Sequence, residues 1–273
     1  MKEIKNIFLF LINTNIFVAL CVCALSISSE YLFDSQNFRI TQFIFLATLF
    51  TYNFQRIVRI KKGIKHKRKE WTLNNISLVY FLIGIGIIGS FYHFFQMKTI
   101  SQILILYFGI ISLLYPFGLR KIPFFKIFII SLTWTISTML LVVLENNIPL
   151  NINTYLHLIC RFLFVFAICI PFDIRDIKYD NIKLKTIPLS IGISKSKLIS
   201  IIGLFSIVLI SIYQFLNYNL NIGFLVSIIL TCFISSIFIS KSDEKRSDFF
   251  FSFWIESLSI LFYLFLVISI LIF

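Results

Sequence analysis

The chain has 273 residues, of which 59% are hydrophobic and only 14% charged, with 34 phenylalanines. This composition excludes an ordinary water-soluble domain. The net charge of +13 does not call for nucleic acid, because the basic residues gather between apolar runs, where membrane topology and anionic lipid head groups account for them.

Apolar stretches of about 20 residues, each able to cross about 30 Å of hydrocarbon as a helix, recur throughout. In chain order they fall near 7–28, 38–56, 74–95, 99–117, 123–144, 153–173, 197–216, 221–240 and 249–271. Backbone groups cannot go unpaired in lipid, and no alternating ten-residue strand pattern is present. The expected fold is therefore an all-α integral membrane bundle of nine transmembrane helices, forming one domain over residues 1–273. The first run follows a short basic start but exceeds the core of a signal peptide, so it is expected to be retained. In the third run, Gly84, Gly86 and Gly89 would let a neighbouring helix approach closely.

Of the 25 basic residues, 22 fall on the N-terminal tail or in the even-numbered connections. That asymmetry places the N-terminus in the cytoplasm and the C-terminus outside. The two longer connections, after spans two and six, both lie on the basic side. The five cysteines all fall inside spans without metal-ligand or disulfide spacing, and are expected to be packing residues. The three histidines are scattered.

The sixth span ends in "FDIRDIKYDN". If its helix runs on, Asp173, Asp176 and Asp180 stand at i, i+3 and i+7 and share a face about 60° wide. Three such carboxylates repel unless something positive lies among them, and a hard divalent ion such as Mg²⁺ is one solution. Pairing with nearby lysines such as Lys183 is the other, while Arg175, adjacent in sequence, points elsewhere on a helix. Arg161, mid-span, is expected to face a cavity or a carboxylate, and Glu256 is either a polar contact inside the bundle or an interfacial residue.

The stretch "DIRDIKYDNIKLKTIPLSIG" resembles the second aspartate-rich motif of the UbiA prenyltransferase family, and "YPFGLRKIPFFK" is similar to that family's Tyr-Pro and basic segment. The span count and the long connections after spans two and six agree with it. The resemblance implies a multi-pass enzyme of the cytoplasmic or inner membrane that transfers an isoprenyl group from its diphosphate to a hydrophobic acceptor, an aromatic or quinone precursor, on the cytoplasmic face. By position it implies Asp173, Asp176 and Asp180 as catalytic Mg²⁺ ligands. It implies Asn53, Tyr115, Arg120 and Lys121 as substrate-binding residues, to which the charges of Arg56 and Arg59 add two more candidates.

The first aspartate motif departs from the family. In "TYNFQRIVRIKKG", Asn53 is kept, but Ile57 and Lys61 occupy the aspartate positions. Two readings stay open. Arg56 and Arg59 could hold the diphosphate directly with guanidinium forks. Alternatively, the bundle is a non-catalytic lipid-binding or membrane-assembly protein.

Overall fold

The computed structural model describes residues 2–35, 37–63, 68–117, 122–177 and 186–272, and no strand occurs among them. The chain opens with α1 (Lys2–Asn13) and α2 (Ile16–Leu32), followed by α3 (Phe38–Lys61), α4 (Lys69–Asn74), α5 (Ile76–Phe94) and α6 (Thr99–Leu114). A 3₁₀ turn (Tyr115–Phe117) ends α6. Next comes α7 (Phe125–Thr135), which continues through a π-helical turn (Ile136–Leu140) into α8 (Leu141–Glu145). The remainder is α9 (Ile152–Asp176), α10 (Ile187–Ile191), α11 (Ile193–Tyr218), α12 (Ile222–Ser240) and a second π-helical turn (Phe250–Ile255) leading into α13 (Leu258–Ile272).

Among the described residues, seven helices are long and apolar enough to cross a membrane, and α1 with α2 makes an eighth if the bent pair is one span. The second expected span is present as the 24-residue α3 but is not among those seven, because polar residues such as Gln42, Asn53, Gln55 and Arg56 lower its hydropathy. Long apolar side chains such as Phe81, Ile88, Leu216 and Leu271 point outward and exposed, the surface expected of a bundle solvated by lipid.

The first span departs most from expectation. It is not straight: α1 and α2 meet at 82°, with Asn15 in the left-handed region at φ 62°, a conformation Asn tolerates better than most residues. The corner is held from α3. Asn53 donates to the Thr14 carbonyl at 3.0 Å and accepts from the Asn15 amide at 3.0 Å. Arg56 donates to the Asn13 carbonyl and to Asn15 Oδ1. Backbone groups released by the break thus find partners inside the protein, as they must at membrane depth.

Around this corner, α2 packs on α3, on α13 and on the π turn after α7, while α9 packs on α7 and α11, and α12 bridges α11 and α13. These contacts close a ring. One core gathers Leu25, Phe164, Leu204, Phe251 and Leu258, and a second gathers Val18, Ile40, Ile44 and Leu141. Between α3 and α5 the helices come close through glycine. A Cβ on Gly86 would meet the Leu46 carbonyl at 2.8 Å, whereas one on Gly84 would meet nothing within 4 Å.

Arg161 faces neither a carboxylate nor the cavity among α3, α6 and α9. It is buried and donates to the Leu25 carbonyl at 2.7 Å, Ser29 Oγ at 3.0 Å and Thr138 Oγ1 at 3.1 Å. Neutral acceptors from two other helical segments take the place of the expected counter-ion. All five cysteines are free.

Candidate active site

The ends of α3, α6 and α9 and the starts of α7 and α13 converge at one end of the bundle and enclose a cavity of about 400 Å³. Its mouth is lined by Arg56 and Arg59 from the last turns of α3, Arg68 before α4, and Tyr115 from the 3₁₀ turn. Lys126 in the first turn of α7 and Asp173, Arg175 and Asp176 in the last turn of α9 complete it. The deeper wall is mostly apolar, with Phe17, Phe43, Phe108 and Trp134 among the lining side chains. Ser252 and Glu256 enter from the π turn that opens α13.

Asp173 is 2% exposed and accepts from Lys126 Nζ at 2.5 Å. The same ammonium lies 3.6 Å from Asp176. A cation in the first turn of one helix and acids in the last turn of another each oppose the local helix dipole, by about 0.3–1 kcal/mol per charge. Placed against each other, they compensate.

Arg175 does not point away. Its Nε donates to Asp176 Oδ1 at 2.8 Å and its Nη2 to Oδ2 at 3.2 Å, while Nη1 reaches Asp248 at 3.2 Å. The rule that adjacent residues diverge holds inside a helix. Here α9 ends at Asp176, and a long side chain in the last turn is free to curl back. Asp248 also accepts from Arg68 at 3.3 Å, and Arg68 donates to Ser252 Oγ at 2.6 Å and to the Ile12 carbonyl at 3.1 Å. This network ties the α1 end, α9 and α13 into one charged rim.

Of the residues expected to act, the structure brings Asp173, Asp176, Arg56, Arg59 and Tyr115 to the cavity. Asn53 is fully buried and commits its side chain to Asn15, Thr14 and Leu49, so it shapes the corner behind Arg56. Asp180, Arg120, Lys121 and Lys183 lie outside the described residues. Arg68, Lys126 and Arg175 complete the cationic wall, although sequence reasoning does not assign them to it. A basic residue in a connection carries no sequence mark telling a rim position from a topology charge.

The expected magnesium site is described only in part, since Asp180 lies outside the described residues. No group of three His, Cys, Asp or Glu side chains among the described residues could hold a metal ion. Asp173 and Asp176 already face Lys126 and Arg175, and buried Ile57 and exposed Lys61 replace the opposing acids.

No family model matches the sequence, and no curated protein matches it. Solved structures do. A UbiA homolog from Aeropyrum pernix K1, solved in the apo state, superposes with a TM-score of 0.64 over 96% of both chains at 13% identity. The fold is that of the UbiA homologues. A digeranylgeranylglyceryl phosphate synthase in membranes shares it with a TM-score of 0.60 over 100% of both chains at 14% identity. The UbiA fold thus extends over essentially the whole chain.

Proposed function

We propose that the chain is an intramembrane prenyltransferase that moves an isoprenyl group from its diphosphate to a small hydrophobic acceptor, aromatic or quinone-precursor in type. In this reading it is one nine-span domain, with its N-terminus and charged rim on the cytoplasmic face. The observation that carries the reading is the two-part cavity in a UbiA fold, with a cationic mouth above an apolar, aromatic chamber. Its volume of about 400 Å³ lies within the ordinary range for ligand sites.

The diphosphate would lodge against Arg56, Arg59 and Arg68. Arg56 gives two of its N–H groups to the corner, and a guanidinium carries five. When the allylic C–O bond breaks, its electron pair leaves on the diphosphate. Fixed cations in a water-poor site stabilise that charge strongly, and removing one such donor typically lowers kcat by about 10²–10³. The cation left on the isoprenoid would sit among aromatic faces, which favour positive charge. Because the described carboxylates are already neutralised, binding should not need Mg²⁺.

A second reading, lipid binding without turnover, is favoured by Ile57 and Lys61 and by the internally paired acids. The deciding measurement is binding of a farnesyl thiodiphosphate analogue to purified protein in EDTA and in Mg²⁺, alongside release of diphosphate from farnesyl diphosphate. Binding that survives EDTA within about tenfold, about 1.4 kcal/mol, together with turnover that Arg59→Gln cuts by about 10²–10³, is the expected result. Binding without turnover supports the second reading. Binding only with metal returns Asp173, Asp176 and Asp180 to a Mg²⁺ role, and no binding in either condition sinks both readings.

A further inference from the structure

Glu256 is an acid that lines the cavity, yet its carboxylate accepts no hydrogen bond and touches no cation among the described residues. Arg68 and Arg175, and the like charge of Asp248, act on it electrostatically from the rim. A carboxylate inside a lipid-embedded bundle costs about 2.5–3.5 kcal/mol or more, so an unpaired one that faces a chamber has a partner missing from the protein itself.

The backbone aims it there. The Glu256 N–H bonds the Phe251 carbonyl at 3.3 Å, a five-residue step that belongs to the π turn Phe250–Ile255. Such single wide turns recur at functional sites. One inserted residue rotates the rest of the helix by about 100°. With α13 in regular register, a different side chain would face the chamber. Glu256 lies one turn deeper than Ser252, which bonds the rim arginine Arg68. On the opposite wall is the Tyr52 hydroxyl, which accepts from Trp134 Nε1 at 3.3 Å. The carboxylate therefore faces the chamber one turn below the rim arginines, where the diphosphate is proposed to lodge.

We propose that Glu256 is the catalytic residue on the acceptor side and that the acceptor carries a hydroxyl group. This rests on the prenyltransferase reading for its chemistry. The hydroxyl donates a hydrogen bond to the carboxylate. As the allylic C–O bond breaks and its electron pair leaves with diphosphate, the hydroxyl oxygen bonds the allylic carbon. Its proton passes to Glu256 and then to water at the mouth, leaving an ether and free diphosphate. An acceptor lacking the O–H would leave the carboxylate desolvated and unpaired, which a site of this kind rejects strongly.

The test compares equilibrium binding of 4-propylphenol and its methyl ether, 4-propylanisole, to the protein in nanodiscs, with protein-free nanodiscs as the blank. One hydrogen bond to a charge predicts at least about a tenfold preference for the phenol. Glu256→Gln should bring the ratio near one, and Glu256→Asp should keep part of it. In turnover, Glu256→Gln should lower alkylation of the phenol by about 10²-fold while the KM for the isoprenyl diphosphate stays unchanged. Equal wild-type affinity for phenol and ether, a comparison that needs no variant to fold, overturns the assignment. So does an unchanged ratio in Glu256→Gln. A strong wild-type ratio without any diphosphate release upholds the hydroxyl site and defeats the prenyltransferase reading instead.

Discussion

Lys126 and Asp173 form a tight charge contact at the rim, 2.5 Å apart with the carboxylate buried. Removing one partner of such a pair strands the other charge, at about 3–5 kcal/mol, whereas replacing both with apolar groups is often neutral. Lys126→Met should therefore lower the thermal midpoint of the purified protein steeply, and Lys126→Met with Asp173→Leu should recover most of the loss. A double variant no more stable than the single one would show that Asp176 and Arg175, not Asp173, set the balance. At this scale the sequence is partly readable. The acids stand out because only twelve occur in the chain. Their counter-ions do not, since Lys126 is one basic residue among 25 and is brought to Asp173 by tertiary packing alone. Arg161 shows the same limit: its mid-span charge is conspicuous, but three neutral oxygens from two other segments leave no trace in the local sequence.

Helix ends follow hydropathy closely because the hydrocarbon thickness sets them. The expected run 99–117 coincides with α6 and its terminal turn, and 221–240 with α12 to within a residue. The corner between α1 and α2 escapes a hydropathy reading, although Asn13, Thr14 and Asn15 interrupt the apolar run. Three polar residues are tolerable in a straight span, and only the partners on α3 decide that they form a turn. Close helix approach is better marked, by the glycines of α5. They are not equivalent. At Gly86 an added methyl would press on the Leu46 carbonyl and the Phe50 backbone N, at 2.8 and 2.9 Å, while Gly84 looks into open space. Gly86→Ala should destabilise by about 1–3 kcal/mol through overpacking, read as a lower thermal midpoint in detergent. Gly84→Ala should be neutral or slightly stabilising, since alanine favours helix over glycine by about 1 kcal/mol. Equal effects of the two would refute a glycine-mediated α3–α5 contact.

For the whole molecule, the charge asymmetry makes a topological prediction. Single cysteines placed at Lys62 and Lys241 should react with an impermeant thiol reagent only after cells are opened, and one at Lys98 should react from outside, because basic connections stay in the cytoplasm. Labelling of all three from the same side would overturn both the orientation and the placement of the rim. The all-helical bundle is legible because long apolar runs recur along the chain, and seven helices long and apolar enough to cross a membrane occur among the described residues. The candidate site is legible at Asp173 and Asp176 of α9 and at Arg56, Arg59 and Tyr115, which line the same cavity, but not at Arg68, Lys126 or Arg175. On the α3 side, Ile57 and Lys61 stand in the aspartate positions, and the part Arg56 plays at the corner emerges from its bonds to Asn13 and Asn15. Those bonds also bear on biogenesis. The carbonyls of Asn13 and Thr14 have their donors on Arg56 and Asn53, residues made some forty positions later, and hydrocarbon supplies no substitute. Until α3 is in place the corner between α1 and α2 lacks the donors that hold it in the folded protein, so the shape of the chamber's mouth depends on α3 as much as on the segment that bends.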